Sequence, residues 1–375
     1  MSLLTGLPSA ICCFFTGINI PIKIDICKSF MIYFQIFTTF RYKSLKNSDS
    51  TNEKEYKVEL LCELDWAARM HINRLFFMNN HCIVLGFENA TQSYIHTYSM
   101  PHCQKFDCLN KGRGDNELLF IHSNVYIQDG LMYLYDRSLM KALVVNVDTL
   151  LASKKLKVEQ IISIQSRASI YERNICDIEF SSFLSSPLPG KERYPRFRTT
   201  DLNRSVVSEE WNWPLDDYAT QWAVYQHQII RFSPDGRKFV IGTLLGCGII
   251  ETYCYPSLDR MEYKEFFVSD FSIHPTAFIL KRNQNTRDGF IDICTTNSEI
   301  WAIWDGATDW SVPDEERPYP TMNTIAVFDW DLNLKRIIKL DYNVLNLAYD
   351  ETSNVLYLVA VSKSGDKYLG RVNLN

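Results

Sequence analysis

Short apolar runs separated by turn residues dominate the chain from about residue 56 onward. The clearest example is QIIRFSPDGRKFVIGT at 228–243, where two runs rich in β-branched and aromatic residues flank Ser233-Pro234-Asp235-Gly236. Pro234 presets φ for a turn, and Gly236 can take a positive φ at no steric cost. This stretch therefore predicts a β-hairpin.

Similar runs recur along the rest of the chain. The pattern predicts strands over Val58–Leu64, Asn73–Met78, Cys82–Phe87, Ser93–Tyr98, Ser123–Gln128, Met132–Tyr135, Leu143–Val147, Val158–Ile164, Ile175–Phe180, Gly248–Tyr253, Tyr263–Val268, Thr276–Lys281, Gly289–Cys294, Glu299–Trp304, Thr324–Asp329, Lys335–Leu340, Val344–Tyr349, Val355–Val361 and Lys367–Val372. A helical turn is predicted over 148–155, and 183–218 is predicted to be irregular because it is rich in proline and charge.

Strands at such regular spacing, almost without helical periodicity, are typical of a sandwich, a barrel or a propeller. The 319 residues from Lys57 to Asn375 exceed a single sandwich. At roughly 40–55 residues per four-stranded blade they give about six to eight blades. Groups of four are visible around 75–98, 228–268 and 324–372. We predict an all-β propeller, most simply of six blades, closed by an early strand that joins the last blade.

The N-terminal region differs from the rest. Residues 1–40 hold two apolar runs, each shorter than the roughly 18–20 residues that span a bilayer. We interpret 1–40 as an apolar extension that is a candidate signal or anchor segment; an extension that packs on the domain is the alternative. Residues 41–56 are polar and predicted to be a linker, and 57–375 are predicted to form the propeller domain.

Composition and charge exclude few functions. The net charge of −5 gives no basic excess for nucleic acid. The 11 cysteines form no CxxC motif and no zinc spacing. Cys103 and Cys108, with the adjacent His102, are a weak candidate for a metal or redox site, and buried thiols are the simpler interpretation. One or two disulfides are compatible with the sequence, but spacing cannot pair them.

Several motifs resemble a known family. The Ser-Pro-Asp-Gly hairpin recurs across TolB-like propellers, and 112–118, GRGDNEL, is similar to a loop of bacterial six-bladed propellers. DWDLNL at 329–334 looks like the outer turn of a propeller blade. The resemblance covers 56–375 and implies a six-bladed fold. It also implies export or lipid anchoring in the cell envelope, although the chain has no clean lipobox at Cys12 or Cys13.

No nucleophile elbow, zincin motif or P-loop occurs. The candidate chemistry lies in two long loops that combine tryptophans with carboxylates. The ligand-binding candidates are Trp211, Trp213, Asp216, Asp217 and Trp222 in one loop, and Trp301, Trp304, Asp305, Asp309 and Trp310 in or beside the other. Aromatic platforms beside carboxylates suit sugar stacking, glycoside chemistry or calcium. The plainer interpretation is that the tryptophans fix the loops on the rim and that the charges are solvated.

Two function classes remain open. The first is a non-catalytic binding or scaffold propeller of the bacterial cell envelope with a protein or glycan ligand. The second is a carbohydrate hydrolase or lyase that uses the Asp and Glu residues of the two loops; a seven-bladed protein-interaction module is a further alternative. The sequence predicts a monomer with no catalytic residue, cofactor, metal or nucleic-acid partner. Its predicted location is the envelope, with the cytoplasm as the alternative.

Overall fold

A computed structural model describes most of the chain from Asn52 onward. The described residues are 52–67, 71–121, 125–136, 138–163, 169–170, 177–180, 197–200, 206–210, 224–225, 228–255, 257–268, 272–273, 280–281, 286–304 and 322–375. The predicted apolar extension over 1–40 lies outside them. Within these ranges no helix is both long and apolar enough to cross a membrane.

The described strands follow one another in hairpins. Two strands, β1 (Asn52–Tyr56) and β2 (Glu59–Glu63), precede the first blade. Blade 1 consists of β3 (Ile72–Met78), β4 (His81–Glu88), β5 (Ser93–Ser99) and β6 (Gln104–Asn110); blade 2 of β7 (Tyr126–Gln128), β8 (Leu131–Asp136), β9 (Lys141–Asn146) and β10 (Val158–Ser163); blade 3 of β11 (Ser169–Ile170), β12 (Asp177–Phe180), β13 (Phe197–Thr200) and β14 (Val206–Glu210).

The second half repeats this arrangement. Blade 4 consists of β15 (Gln228–Phe232), β16 (Lys238–Thr243), β17 (Cys247–Cys254) and β18 (Arg260–Val268), and a two-stranded ribbon follows, β19 (Ser272–Ile273) and β20 (Leu280–Lys281). Blade 5 consists of β21 (Phe290–Thr295), β22 (Glu299–Trp304), β23 (Thr324–Asp329) and β24 (Leu334–Leu340), and blade 6 of β25 (Asn343–Asp350), β26 (Val355–Val361) and β27 (Lys367–Asn373). A 3-10 turn covers Asp65–Ala67, and the predicted helical turn is α1 (Val147–Ser153).

The predicted hairpin at 228–243 is confirmed. β15 and β16 pair antiparallel, and Phe232 faces Phe239 in the register. The Gly236 amide donates to the Ser233 carbonyl at 2.8 Å, and Gly236 has a φ of 70°. The positive φ explains why glycine occupies this turn position.

The ring closes through the N-terminal strands. β2 pairs antiparallel with β27 and is the outer strand of blade 6. Arg371 and Glu59 join the two strands through a bidentate ion pair at 2.8 and 2.9 Å. This confirms the predicted closure by an early strand. β1 pairs in parallel with β24 as a fifth strand of blade 5, so part of the predicted linker over 41–56 belongs to the sheet.

Six sheets of four or five strands are present among the described residues, and five of them are joined face to face by clusters of buried residues. Apolar side chains pack between the faces of neighbouring sheets. Five clusters of buried residues join blade 1 to 2, 2 to 4, 4 to 5, 5 to 6 and 6 to 1. Blades 2 and 4 touch directly, since the rings of Tyr126 and Phe232 lie 5.5 Å apart.

Three details of the predicted strand pattern are wrong. β13 and β14 lie inside 183–218, which the proline and charge content led us to predict as irregular; their strand form comes from pairing with β12 and with each other. β6 was not predicted; its strand form comes from antiparallel pairing with β5. The group at 324–372 is divided between blades 5 and 6.

Candidate functional site

The strand order fixes where the two tryptophan-rich loops leave the ring. Gln228, which follows the first loop, pairs with Thr243. The carbonyl of Leu244, the next residue, accepts a hydrogen bond from the Gly289 amide at 2.7 Å. Gly289 immediately precedes β21, and the first residue of β21, Phe290, pairs with Trp304. Gln228 and Trp304 therefore lie at the same end of the ring. We call this end the loop face.

Trp304 is half-buried at the seam between blades 4 and 5. Its ring lies 4.9 Å from that of Phe290, 5.1 Å from that of Phe266 and 5.5 Å from that of Phe267, all in edge-on contacts. A Cβ atom at Gly248 would come within 2.7 Å of the indole, so glycine permits this close approach. The aromatic cluster anchors the strand from which the second loop departs.

Trp301 is placed differently. Its ring is fully buried between blades 5 and 6, where it stacks on Tyr349 at 4.2 Å and lies 4.7 Å from the guanidinium carbon of Arg336. Because side chains alternate along a strand, Trp301 and Trp304 point to opposite faces of β22. Trp301 is therefore a core residue, whereas the sequence led us to predict it as one of the ligand-binding residues.

The other predicted ligand-binding residues lie outside the described part of the chain. They are Trp211, Trp213, Asp216, Asp217, Trp222, Asp305, Asp309 and Trp310.

A buried polar cluster lies where the first strands of four blades meet. Asp292 of blade 5 accepts hydrogen bonds through Oδ1 from Arg74 of blade 1 at 2.9 Å and from Arg231 of blade 4 at 2.8 Å. Both guanidinium groups also donate to the Ile293 carbonyl, at 2.7 and 3.0 Å. We call Arg74, Arg231, Asp292 and Asn346 the axis cluster.

Blade 6 completes the axis cluster. The Asn346 amide donates to Asp292 Oδ2 at 3.4 Å, and the Leu347 backbone amide donates to the same oxygen at 3.3 Å. All four side chains of the cluster belong to buried residues, with exposed fractions of 1–6%. Burial lowers the pKa of Arg74 to about 10, and the charge of Arg231 acts in the same direction.

The axis cluster was not predicted from the sequence. Arg231 interrupts an apolar strand between Ile230 and Phe232, and Asp292 lies between two isoleucines. The signal that could have indicated the cluster is a single charged residue within an apolar strand, because a buried charge needs a partner. Periodicity could not show which charges would meet, since they come from separate blades.

Comparisons with known proteins agree with this fold. The family described as TolB-like 6-blade propeller-like matches residues 70–352, about three quarters of the chain. The chain belongs to this TolB-like family. The resemblance stated from the sequence is thus confirmed. A comparison with curated proteins finds no match.

Two solved structures are similar to this TolB-like propeller over most of their length. The WD40 repeats of RRP9 are 7% identical, with 84% of this chain and 96% of that chain covered and a TM-score of 0.44. A candidate exported protein from Bacteroides fragilis NCTC 9343 is 10% identical, with 86% and 99% covered and a TM-score of 0.48.

A second polar cluster of the TolB-like propeller lies in blade 1. His96 is fully buried, with Nδ1 2.8 Å from Asp107 Oδ1 and 3.5 Å from Glu88 Oε2, and Nε2 3.0 Å from the Gly86 carbonyl oxygen. Both nitrogens therefore face acceptors, and only a protonated ring donates to both sides. Burial lowers the pKa of His96, and the Asp107 carboxylate opposes this shift.

Glu88, His96 and Asp107 are also the one group among the described residues whose ligand atoms could hold a metal, all within 4.8 Å of one another. The Lys105 ammonium already lies 2.8 Å from Glu88 Oε2 and 3.3 Å from Asp107 Oδ2. A cation of the protein itself thus offsets one of the two negative charges of these carboxylates.

The described cysteines are all free thiols. Cys103 packs at the seam between blades 6 and 1, whereas Cys108 belongs to the cluster between blades 1 and 2. Burial raises the pKa of the Cys62 thiol to about 12, and the neighbouring Cys103 acts in the same direction. The structure does not bring Cys103 and Cys108 together as a joint site.

Proposed function

We propose that this TolB-like chain is a non-catalytic binding propeller of the bacterial cell envelope that holds a protein or glycan ligand on its loop face. The observation that carries the proposal is the common origin of the two tryptophan-rich loops. The first loop ends at Gln228 and the second begins after Trp304, and these two residues lie at one end of the ring.

The chemistry of the two loops supports this function. Tryptophan rings bury large areas against sugar faces or apolar side chains, and nearby carboxylates orient polar groups. The loops extend from rigid strands, an arrangement that is common for binding sites. The aromatic contacts of Trp304 with Phe266 and Phe290 fix the base of the second loop. The envelope location rests on the family resemblance.

A thermal-shift screen of the full chain tests the proposal. The panel contains neutral and acidic glycans, peptidoglycan fragments and short peptides, with Ca²⁺ and a chelator as separate additions. A ligand at 100 times its Kd stabilises the folded state by about 2.7 kcal/mol, which shifts Tm by several degrees. We expect at least one glycan or peptide to give such a shift.

Variants then locate the site. Trp211→Ala combined with Trp310→Ala should abolish the shift, because each removes a stacking surface from one loop. The matched control is Glu351→Gln, an exposed change in the β25–β26 turn at the opposite end of the first strands. A ligand whose shift survives the double variant would contradict the proposal, as would the absence of a shift with every compound.

A further inference from the structure

The axis cluster leaves part of one arginine unused. The hydrogen bonds of Arg74 all leave from Nη1, which donates to Asp292 and to the Ile293 carbonyl. Its Nε is buried and has no hydrogen-bond partner in the part of the chain that the structure describes. A guanidinium group carries five N–H donors, and the Nε–Nη2 edge is the side that pairs with two oxygens at once. No hydrogen bond from this edge of Arg74 to any described residue is present.

The positive and negative charges of the axis cluster also do not balance. Two guanidinium groups share one carboxylate, so the buried cluster carries a net charge of +1. A buried charge without a counter-charge is costly. The lowered pKa of Arg74 reflects burial and the repulsion from Arg231. The Oδ1 atom of Asn346 is a further buried polar atom that has no hydrogen-bond partner among the described residues.

We propose that the Nε–Nη2 edge of Arg74 binds a carboxylate group of the ligand at the axis of the propeller. A carboxylate supplies one negative charge and two coplanar oxygens, which match both the charge and the geometry of this edge. A phosphate dianion would leave the cluster with a net charge of −1. The inference deepens the proposed function, on which it rests, by naming the group that the propeller recognises.

The axis cluster is electrostatically connected to an exposed residue of the loop face. His71 is exposed and immediately precedes β3, the first strand of blade 1. Partial burial lowers its pKa, as does the charge of Lys367, while the Asp292 carboxylate opposes the shift. His71 thus lies within electrostatic reach of Asp292, which places the axis cluster near the start of β3.

Paired compounds test the inference and distinguish two kinds of ligand that could supply the carboxylate, a peptide C-terminus and a uronic acid. Isothermal titration of the full chain compares an N-acetylated dipeptide with its C-terminal amide, and galacturonate with galactose. We expect the free carboxylate of at least one pair to bind at least about tenfold more tightly than its neutral partner. The first pair identifies a peptide terminus and the second a uronic acid.

Two variants place the carboxylate at the axis. Arg74→Lys keeps the charge but cannot form the bidentate contact, so we expect at least a tenfold loss of affinity. Asn346→Asp supplies the missing negative charge from the protein, so it should remove carboxylate binding while the fold and its Tm are kept. Arg336→Lys, at the surface ion pair with Glu299, is the matched control and should bind like the parent.

The outcomes distinguish this inference from the proposed function. Equal affinity for acids and neutral partners would overturn the carboxylate site, and binding abolished by the loop variants would still support the loop face. Carboxylate binding that Asn346→Asp leaves unchanged would also overturn it, even if Arg74→Lys does not fold. Carboxylate preference lost in Asn346→Asp and kept in Arg336→Lys is the expected result.

Discussion

The Nη1 atom of Arg74 lies 2.9 Å from Oδ1 of Asp292, although the two residues are 218 positions apart in the chain. Arg74 lies in β3, the first strand of blade 1, and Asp292 lies in β21, the first strand of blade 5, so the contact joins two blades through their first strands. Arg231 joins the same oxygen from blade 4. The Asp292 carboxylate thus connects blades 1, 4 and 5, which share no strand pairing among the described residues.

We predict that Asp292→Asn destabilises the protein strongly. The substitution removes the only negative charge of the axis cluster and leaves two buried guanidinium groups facing each other. Breaking a buried ion pair in this way costs about 3–5 kcal/mol. Urea denaturation measures the loss. Asp331→Asn, at an exposed turn residue, should change stability by less than about 0.5 kcal/mol; an equally small effect at Asp292 would contradict the account of the axis cluster.

Gly289→Ala should also destabilise the fold. A Cβ atom at this position would lie 2.1 Å from the Cys247 carbonyl oxygen and 2.4 Å from that of Thr243, so backbone must move. We expect a loss of at least about 2 kcal/mol in urea denaturation. In Gly114→Ala the nearest atom is the carboxylate end of Glu117, a flexible side chain, so the cost should be small. Equal effects of the two substitutions would refute this explanation.

The stability of blade 1 should depend on pH through His96. Burial lowers its pKa below the usual value of 6.5, so the unfolded chain binds a proton more readily than the folded one. The contribution of this residue is therefore fully present above pH 6.5 and is lost as the pH falls below it. Comparing urea denaturation at pH 8 and pH 5.5 should show a smaller pH effect in His96→Gln. If the variant and the parent lose the same unfolding free energy between pH 8 and pH 5.5, His96 is not the source of the pH dependence.

Cys62 should react slowly with thiol reagents. Its pKa of about 12 leaves almost no thiolate at pH 8, and thiolate is the reactive form. We expect iodoacetamide to label Cys62 in the folded protein at least about tenfold more slowly than in urea, as measured by mass spectrometry of peptides. Cys103→Ser tests the contact, because removing the partner thiol should speed the labelling. Rapid labelling of Cys62 in the folded parent would contradict the raised pKa of its thiol.

The sequence was sufficient for the architecture because local rules determine it. The turn at Ser233–Gly236 and the alternation in the flanking strands predict a hairpin without reference to the rest of the chain. The closure by β2 could be inferred because an open sheet edge is unfavourable. β13 and β14 were missed because their short polar sequences acquire strand form only through their neighbours.

The candidate site was less predictable. The tryptophan-rich loops were identified from composition, but the burial of Trp301 follows from which side of β22 faces blade 6, and its sequence does not specify that side. The axis cluster combines Arg74, Arg231 and Asp292 from three blades. Such long-range contacts depend on how the blades are arranged around the axis, and a strand pattern carries no information about this arrangement.

The most direct test of the central claim is hydrogen–deuterium exchange of the full chain with and without a saturating peptidoglycan digest or the acidic glycan that gives the largest thermal shift. We predict that the ligand protects backbone amides of the segments at 211–227 and 305–323 together, along with the start of β3. Amides in the opposite turns, such as 233–236 and 351–354, should exchange at unchanged rates. Protection confined to those opposite turns, or to one outer strand, would contradict a binding site on the loop face.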